Sequence, residues 1–154
     1  MDRISVRQAD LADLEELIAW RMEVLRDVFA IEPGECMDEL EQQNRAYYHR
    51  AFAEGRHIAA FAQIEGKTIG CAGLCLHDEM PSPDNPSGTC GYLMNVYVRE
   101  AWRGQGAARA LLECLLAQTR HRGIGKVYLE ATAAGKPLYA AMGFRDLPHM
   151  MILS

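Results

Sequence analysis

The chain has 154 residues, a formal net charge of −5, and 49% apolar against 24% charged residues. That length suits one domain around a single core, and the acidic balance argues against a nucleic-acid partner. No apolar run nears the roughly 18 residues of a membrane helix. The start, Met-Asp-Arg-Ile-Ser-Val, reads as neither signal nor transit peptide, so the expected location is cytoplasmic.

Taken in order, Ile4 to Gln8 alternates apolar and polar side chains and predicts a first strand. Asp10 is placed to cap a helix, and Asp13 suits the positive end of its dipole. Leu11, Leu14, Leu17, Ile18, Met22, Leu25 and Val28 then recur on one helical face, and Glu32-Pro-Gly-Glu35 ends the run. A second helix is predicted from about Met37 to Glu54. It is strongly polar apart from Leu40, Tyr47, Tyr48 and Phe52, and Gly55 closes it. His57 to Ile64 and Thr68 to His77 read as two strands of a hairpin turned at Glu65-Gly66-Lys67. Asp78 to Gly88, rich in Pro, Ser and Asp, is a loop. Cys90 to Val98 is a strand, followed by a helix on which Ala107, Ala108, Leu111, Leu112, Leu115 and Leu116 share a face. Lys126 to Ala131 predicts another strand. Pro137 opens a short helix closed by Gly143, and His149 to Leu153 predicts a last strand. The order is that of an α/β (α+β) fold with an antiparallel first half and one right-handed crossover. Five cysteines, Cys36, Cys71, Cys75, Cys90 and Cys114, are an odd number without C-x-x-C spacing, which favours core packing over a metal site.

The junction at Arg103-Gly104-Gln105-Gly106-Ala107-Ala108 carries the chemistry. The first N–H groups of a helix lack internal partners, and the dipole places partial positive charge there. Glycines let a ligand approach that backbone closely, and Arg103 adds a planar cation. Residues 1–60 hold 7 Arg and no Lys against 13 acidic residues, whereas residues 99–126 hold 6 basic residues against 2 acidic ones. The positive island therefore coincides with the loop, a seat for a pyrophosphate, with Arg109 a further phosphate contact. No Lys follows the glycines as in a phosphate-binding P-loop. Arg109 occupies the place of the third glycine in a dinucleotide fingerprint.

Arg103, Gly106 and Ala108 resemble the R-x-x-G-x-G/A motif of the GNAT superfamily of N-acetyltransferases. Tyr139 with Gly143-Phe144 resembles that family's late helix, in which a Tyr precedes G-F. The element order is similar as well, so the resemblance spans nearly the whole chain. It implies a mixed, mostly antiparallel twisted sheet of six or seven strands flanked by about four helices. It also implies acetyl-CoA as cofactor, seated by Arg103, Gly104, Gln105, Gly106, Ala107, Ala108 and Arg109, with its pantetheine arm along the backbone of Val96, Tyr97 and Val98. Tyr139 would contact the cofactor and protonate the departing thiolate, since a phenol of pKa ~10 holds its proton at neutral pH.

Acetyl transfer also needs an amine freed of its proton. Many relatives place a Glu on the central strand, but Cys90 to Val98 contains no Asp, Glu or His. Asn95 can orient water or substrate, and Glu130 on the neighbouring strand is the nearest carboxylate. His57, His77 and Glu79, at strand ends, read as exposed side chains. The resemblance puts the acceptor pocket against the two early helices, around Arg21, Glu35, Asp38, Tyr47 and Tyr48, with Asn95. Their acidic surplus would attract a cationic amine. The expected activity is direct transfer, in a ternary complex, to the primary amine of a small molecule, with the base unassigned or water-mediated. A protein N-terminus or lysine as acceptor, or a non-catalytic acyl-CoA sensor, stays open. So does a homodimer formed through a sheet edge or the C-terminal strand.

Overall fold

The computed structural model describes residues 3–154. Strand β1 (Ile4–Ala9) leads into a 3-10 turn at Leu11–Asp13 and helix α1 (Leu14–Val28). Asp10 accepts from the N–H of Ala12 at 2.9 Å, and Asp13 accepts from the N–H of Asp10 at 3.0 Å, so two orphan donors are satisfied reciprocally. Helix α2 (Asp38–Ala53) precedes the hairpin β2 (His57–Ile64) and β3 (Lys67–Asp78). Glu65 and Gly66 both take positive φ, as a two-residue hairpin turn of this hand requires. Strand β4 (Thr89–Val98), helix α3 (Ala107–Arg122), strand β5 (Lys126–Leu129) and helix α4 (Lys136–Ala141) complete the order.

The five strands lie side by side in chain order. β1 to β4 pair antiparallel, and β5 joins β4 in parallel through the α3 crossover. Because side chains alternate along a strand, the sheet has two apolar faces. One face, with Ile58, Ala60, Ile69, Leu74 and Leu93, packs against Leu111, Leu112 and Leu115 of α3. The other, with Ala59, Phe61 and Cys71, packs against Leu17, Ile18, Trp20 and Val24 of α1 and Tyr48 of α2.

The sheet has five strands rather than the six or seven expected, because His149–Leu153 forms none. Met151, Ile152 and Leu153 are 95%, 87% and 99% exposed. An apolar run becomes a strand only where a neighbour pairs its backbone, and this segment has no such partner among the described residues. β5 likewise stops at Leu129, where its pairing to β4 stops. Among the described residues no helix is long and apolar enough to cross a membrane.

Candidate active site

At the start of α3 the chain turns through two left-handed glycines, Gly104 at φ +77° and Gly106 at φ +93°. A Cβ built on either would meet nothing within 4 Å, so open space lies over this backbone. Among the described residues no side chain caps the helix, and its first N–H groups remain available to an anion. Ala107, beneath them, is buried against the core. A negatively charged diphosphate fits this cradle by shape and by charge.

Arg103 makes several contacts within the chain. Its Nε donates to the carbonyl of Val98 at 2.7 Å, its guanidinium lies 5.5 Å from the Tyr97 ring centre, and Nη2 is 3.8 Å from Asp27. It ties the loop to the end of β4, with part of its head left outward. Arg109 points along the helix towards Glu113, 3.6 Å away, and Gln105 is exposed.

Strand β4 is where the two halves of the site meet. Its pairing with β5 covers only Cys90–Leu93 against Lys126–Leu129, and from Met94 to Val98 that side has no strand partner among the described residues. The open stretch ends beside the glycine cradle. Val96 and Val98 pack towards the α3 face, while Tyr97 meets Trp20 edge-on on the opposite face. Tyr139 of α4 is half-buried against the α3-side cluster and packs edge-on against Phe144 at 6.0 Å. Burial pushes its hydroxyl above the ordinary phenol value, so it keeps its proton.

Across the sheet, a cavity of about 240 Å³ opens between α1, α2 and strands β2 to β4. Arg21, Tyr47, Tyr48 and Asn95, the residues expected to meet the acceptor, all line it. Arg21 is held from two sides: Nε donates to Asn44 Oδ1 at 3.1 Å and Nη1 to Asn95 Oδ1 at 3.0 Å. Asn95 itself sits at φ +59°, in an irregularity of the β3–β4 register. No carboxylate lines the cavity among the described residues: Glu35 and Asp38 are exposed and lie elsewhere. The acidic wall expected from composition is therefore a solvated surface.

His57 also departs from expectation, being only 8% exposed. Tyr47, Tyr48 and Phe52 enclose its ring edge-on at 5.3 to 5.5 Å. Burial, and then the charge of Arg21, lower its pKa to about 4, so the ring is neutral. The Tyr47 hydroxyl lies 2.8 Å from His57 Nδ1 and donates to Cys75 Sγ at 3.0 Å. His57 Nε2 is buried and has no hydrogen-bond partner among the described residues. Gly73 makes room for the ring, since a Cβ there would stand 3.2 Å from Nε2. The sequence carried one signal for this: three aromatics on an otherwise polar α2.

Glu130 is exposed, one residue beyond β5, and does not line the cavity. Its carboxylate is close enough to help raise the Tyr92 hydroxyl to about 12, after the larger effect of burial. His77 and Glu79 form a separate chain with Tyr128 and Lys126, at 3.0 to 3.2 Å between partners.

Residues 14–144 match the Acetyltransferase (GNAT) family. A predicted acetyltransferase from Clostridium acetobutylicum, solved with acetyl-CoA, superposes with a TM-score of 0.86 at 28% identity, covering 99% of this chain and 96% of that one. Aminoglycoside N(6′)-acetyltransferase type 1 of Stenotrophomonas maltophilia is 31% identical over 138 residues, 89% of this chain and 81% of that enzyme. Glucosamine 6-phosphate N-acetyltransferase of Trypanosoma brucei brucei is 30% identical over 91 residues, 59% of this chain and 60% of that enzyme's length.

Proposed function

The chain belongs to the acetyltransferase (GNAT) family and uses acetyl-CoA, and on that premise we propose that it acetylates the primary amine of a compact small molecule. One observation carries this reading. The half of β4 that β5 does not reach runs from the glycine cradle to Asn95, and Asn95 lines a cavity on the other face. A donor laid along the strand and an acceptor in the cavity would meet there in a ternary complex. At about 240 Å³ the cavity falls below the ~300–1,000 Å³ of drug-sized clefts, which supports a small acceptor over a protein chain end.

The N–H groups at Gly106, Ala107 and Ala108 would hold the diphosphate, with Gly104 and Gln105 shaping the approach and Arg109 at the rim. The backbone of Val96, Tyr97 and Val98 would hold the pantetheine arm. Bound acetyl-CoA supplies the thioester whose acyl carbon the amine attacks. Tyr139 holds a proton at its hydroxyl oxygen, available to a departing thiolate. Asn95 positions the acceptor or a water through its side-chain amide, which cannot take a proton. With no carboxylate lining the cavity, the amine enters uncharged or loses its proton to water. Glu130, at the exposed end of β5, would relay that proton only through solvent. The whole of residues 1–154 acts as one domain in this reading, and the exposed run Met150–Leu153 allows a homodimer, for which sedimentation at rising concentration should show a second boundary. The direct test follows free thiol with acetyl-CoA and a panel of small amines. Amine-dependent release supports the reading, and binding of acetyl-CoA without release across the panel overturns it.

A further inference from the structure

Among the described residues, Arg21 has no counter-ion, and no other charged side chain lines its cavity. Several other arginines among the described residues meet carboxylates: Arg7 with Asp13 and Glu16, Arg45 with Glu15 and Glu41, Arg99 with Glu23 in a two-pronged pair. Arg21 meets only the amide oxygens of Asn44 and Asn95, which turn its planar head and neutralise nothing. Nη2 is left without a protein partner among the described residues. A guanidinium that is half-buried, aimed by two neutral amides and short of an anion is prepared for one supplied from outside. Its field reaches the cavity's titratable groups, opposing protonation of His57 and countering the burial that raises Tyr48 and Cys75. A polycationic acceptor would meet that same repulsion.

Resting on the acetyl-transfer reading, we propose that the acceptor is an amine that also carries an oxyanion, a carboxylate or a phosphate, which pairs with Arg21. Trp20, Tyr47, Tyr48 and Met94 cover the remainder of a compact molecule. Arg21 is thus the residue that selects an anionic amine over a neutral or polycationic one.

The test uses matched amines that differ only in the anion: tyrosine and tyramine, 4-aminobutyrate and butylamine, glucosamine 6-phosphate and glucosamine. The wild-type protein should favour the anionic member of at least one pair in kcat/KM by roughly tenfold or more, as expected for a hydrogen-bonded charge pair. Which pair responds separates carboxylate from phosphate. In Arg21→Met that ratio should collapse through KM, and Arg21→Lys, which keeps the charge without the fork, should fall between. Alongside, 3-phenylpropionate and inorganic phosphate are titrated calorimetrically into the CoA-saturated protein and into Arg21→Met. Arg21-dependent anion binding with no acetylation of any amine would sink the acceptor reading and leave the oxyanion site. Equal or better turnover of the neutral partners, or anion binding indifferent to Arg21, overturns the proposal while acetyl transfer stands.

Discussion

Helix α3 carries a left-handed glycine at each end, and the pair provides a controlled test of the anion cradle. Gly106 sits at φ +93° and Gly123 at φ +68°, and a Cβ at either would touch nothing within 4 Å. Alanine at either position therefore costs backbone strain alone, about 1–2 kcal/mol, which lowers Tm by roughly 2–8 °C for a domain of this size. The two ends differ in what they serve. Gly123 closes the helix through N–H bonds to the carbonyls of Thr119 and Arg120, far from any ligand surface. At Gly106 the new methyl group occupies the open space over the first-turn amides. Losing one charge-assisted hydrogen bond there costs about 1.5–3 kcal/mol, or roughly a 10- to 100-fold weakening. Thermal unfolding should show similar losses in Gly106→Ala and Gly123→Ala, while calorimetric titration with CoA should show weakening only in the first. Unchanged CoA affinity in Gly106→Ala, or equal weakening in both, refutes the cradle.

Tyr139→Phe should lower kcat by about 100-fold, within the range of general-acid contributions, with CoA affinity preserved; stopped-flow thiol detection and calorimetry read the two quantities. His57 is held near pKa 4 against 6.5 in the unfolded chain. The unfolded chain therefore binds the extra proton between those values, and stability falls as pH drops from about 6.5 towards 4. At 1.36 kcal/mol per pKa unit the full loss is about 3 kcal/mol, and urea titrations of wild type and His57→Gln should show it shrink in the variant. Leu112→Ala empties a fully buried position between α3 and the sheet and should cost about 2–5 kcal/mol in the same assay. Because no carboxylate lines the acceptor cavity, kcat/KM should climb with pH along the acceptor's own ammonium titration. A limb that stays in place when amines of different pKa are compared would show a protein base instead.

Local signals accounted for what could be read from the sequence. Glycines before a helical periodicity marked the cradle because both the turn and the helix are decided within a few residues. Hairpin β2–β3 was readable for the same reason, through Glu65-Gly66. The cavity proposed to take the acceptor had no such signature. Arg21 and Asn95 are 74 positions apart, and they meet only because α1 lies across β4. The burial of His57 needs α2 to lower Tyr47, Tyr48 and Phe52 over the start of β2, a tertiary event that a strand-end histidine does not announce. Residues 149–153 failed in the opposite direction: their composition suits a strand, but pairing is a property of two segments and theirs has no second among the described residues.

The junction between the two halves of the site rests on one inserted residue. Gly73 lies opposite Met94 and Cys71 opposite Tyr97, so β4 spends one more residue than β3 across this interval. Asn95 absorbs the excess at φ +59°, a left-handed conformation in which Asn is one of the few tolerated side chains. Strict alternation would send Met94 and Asn95 to opposite faces of the sheet; instead both line the cavity between α1, α2 and the sheet. After the bulge, Val96 and Val98 return to the α3 side and Tyr97 to the other. A regular strand could offer a cofactor edge or an acceptor wall at a given residue, and the bulge brings both to the same point. The position that holds Arg21 is therefore also the position that interrupts the ladder, so in the proposed ternary complex one local geometry would set both the acceptor's orientation and the course of the strand beside the donor.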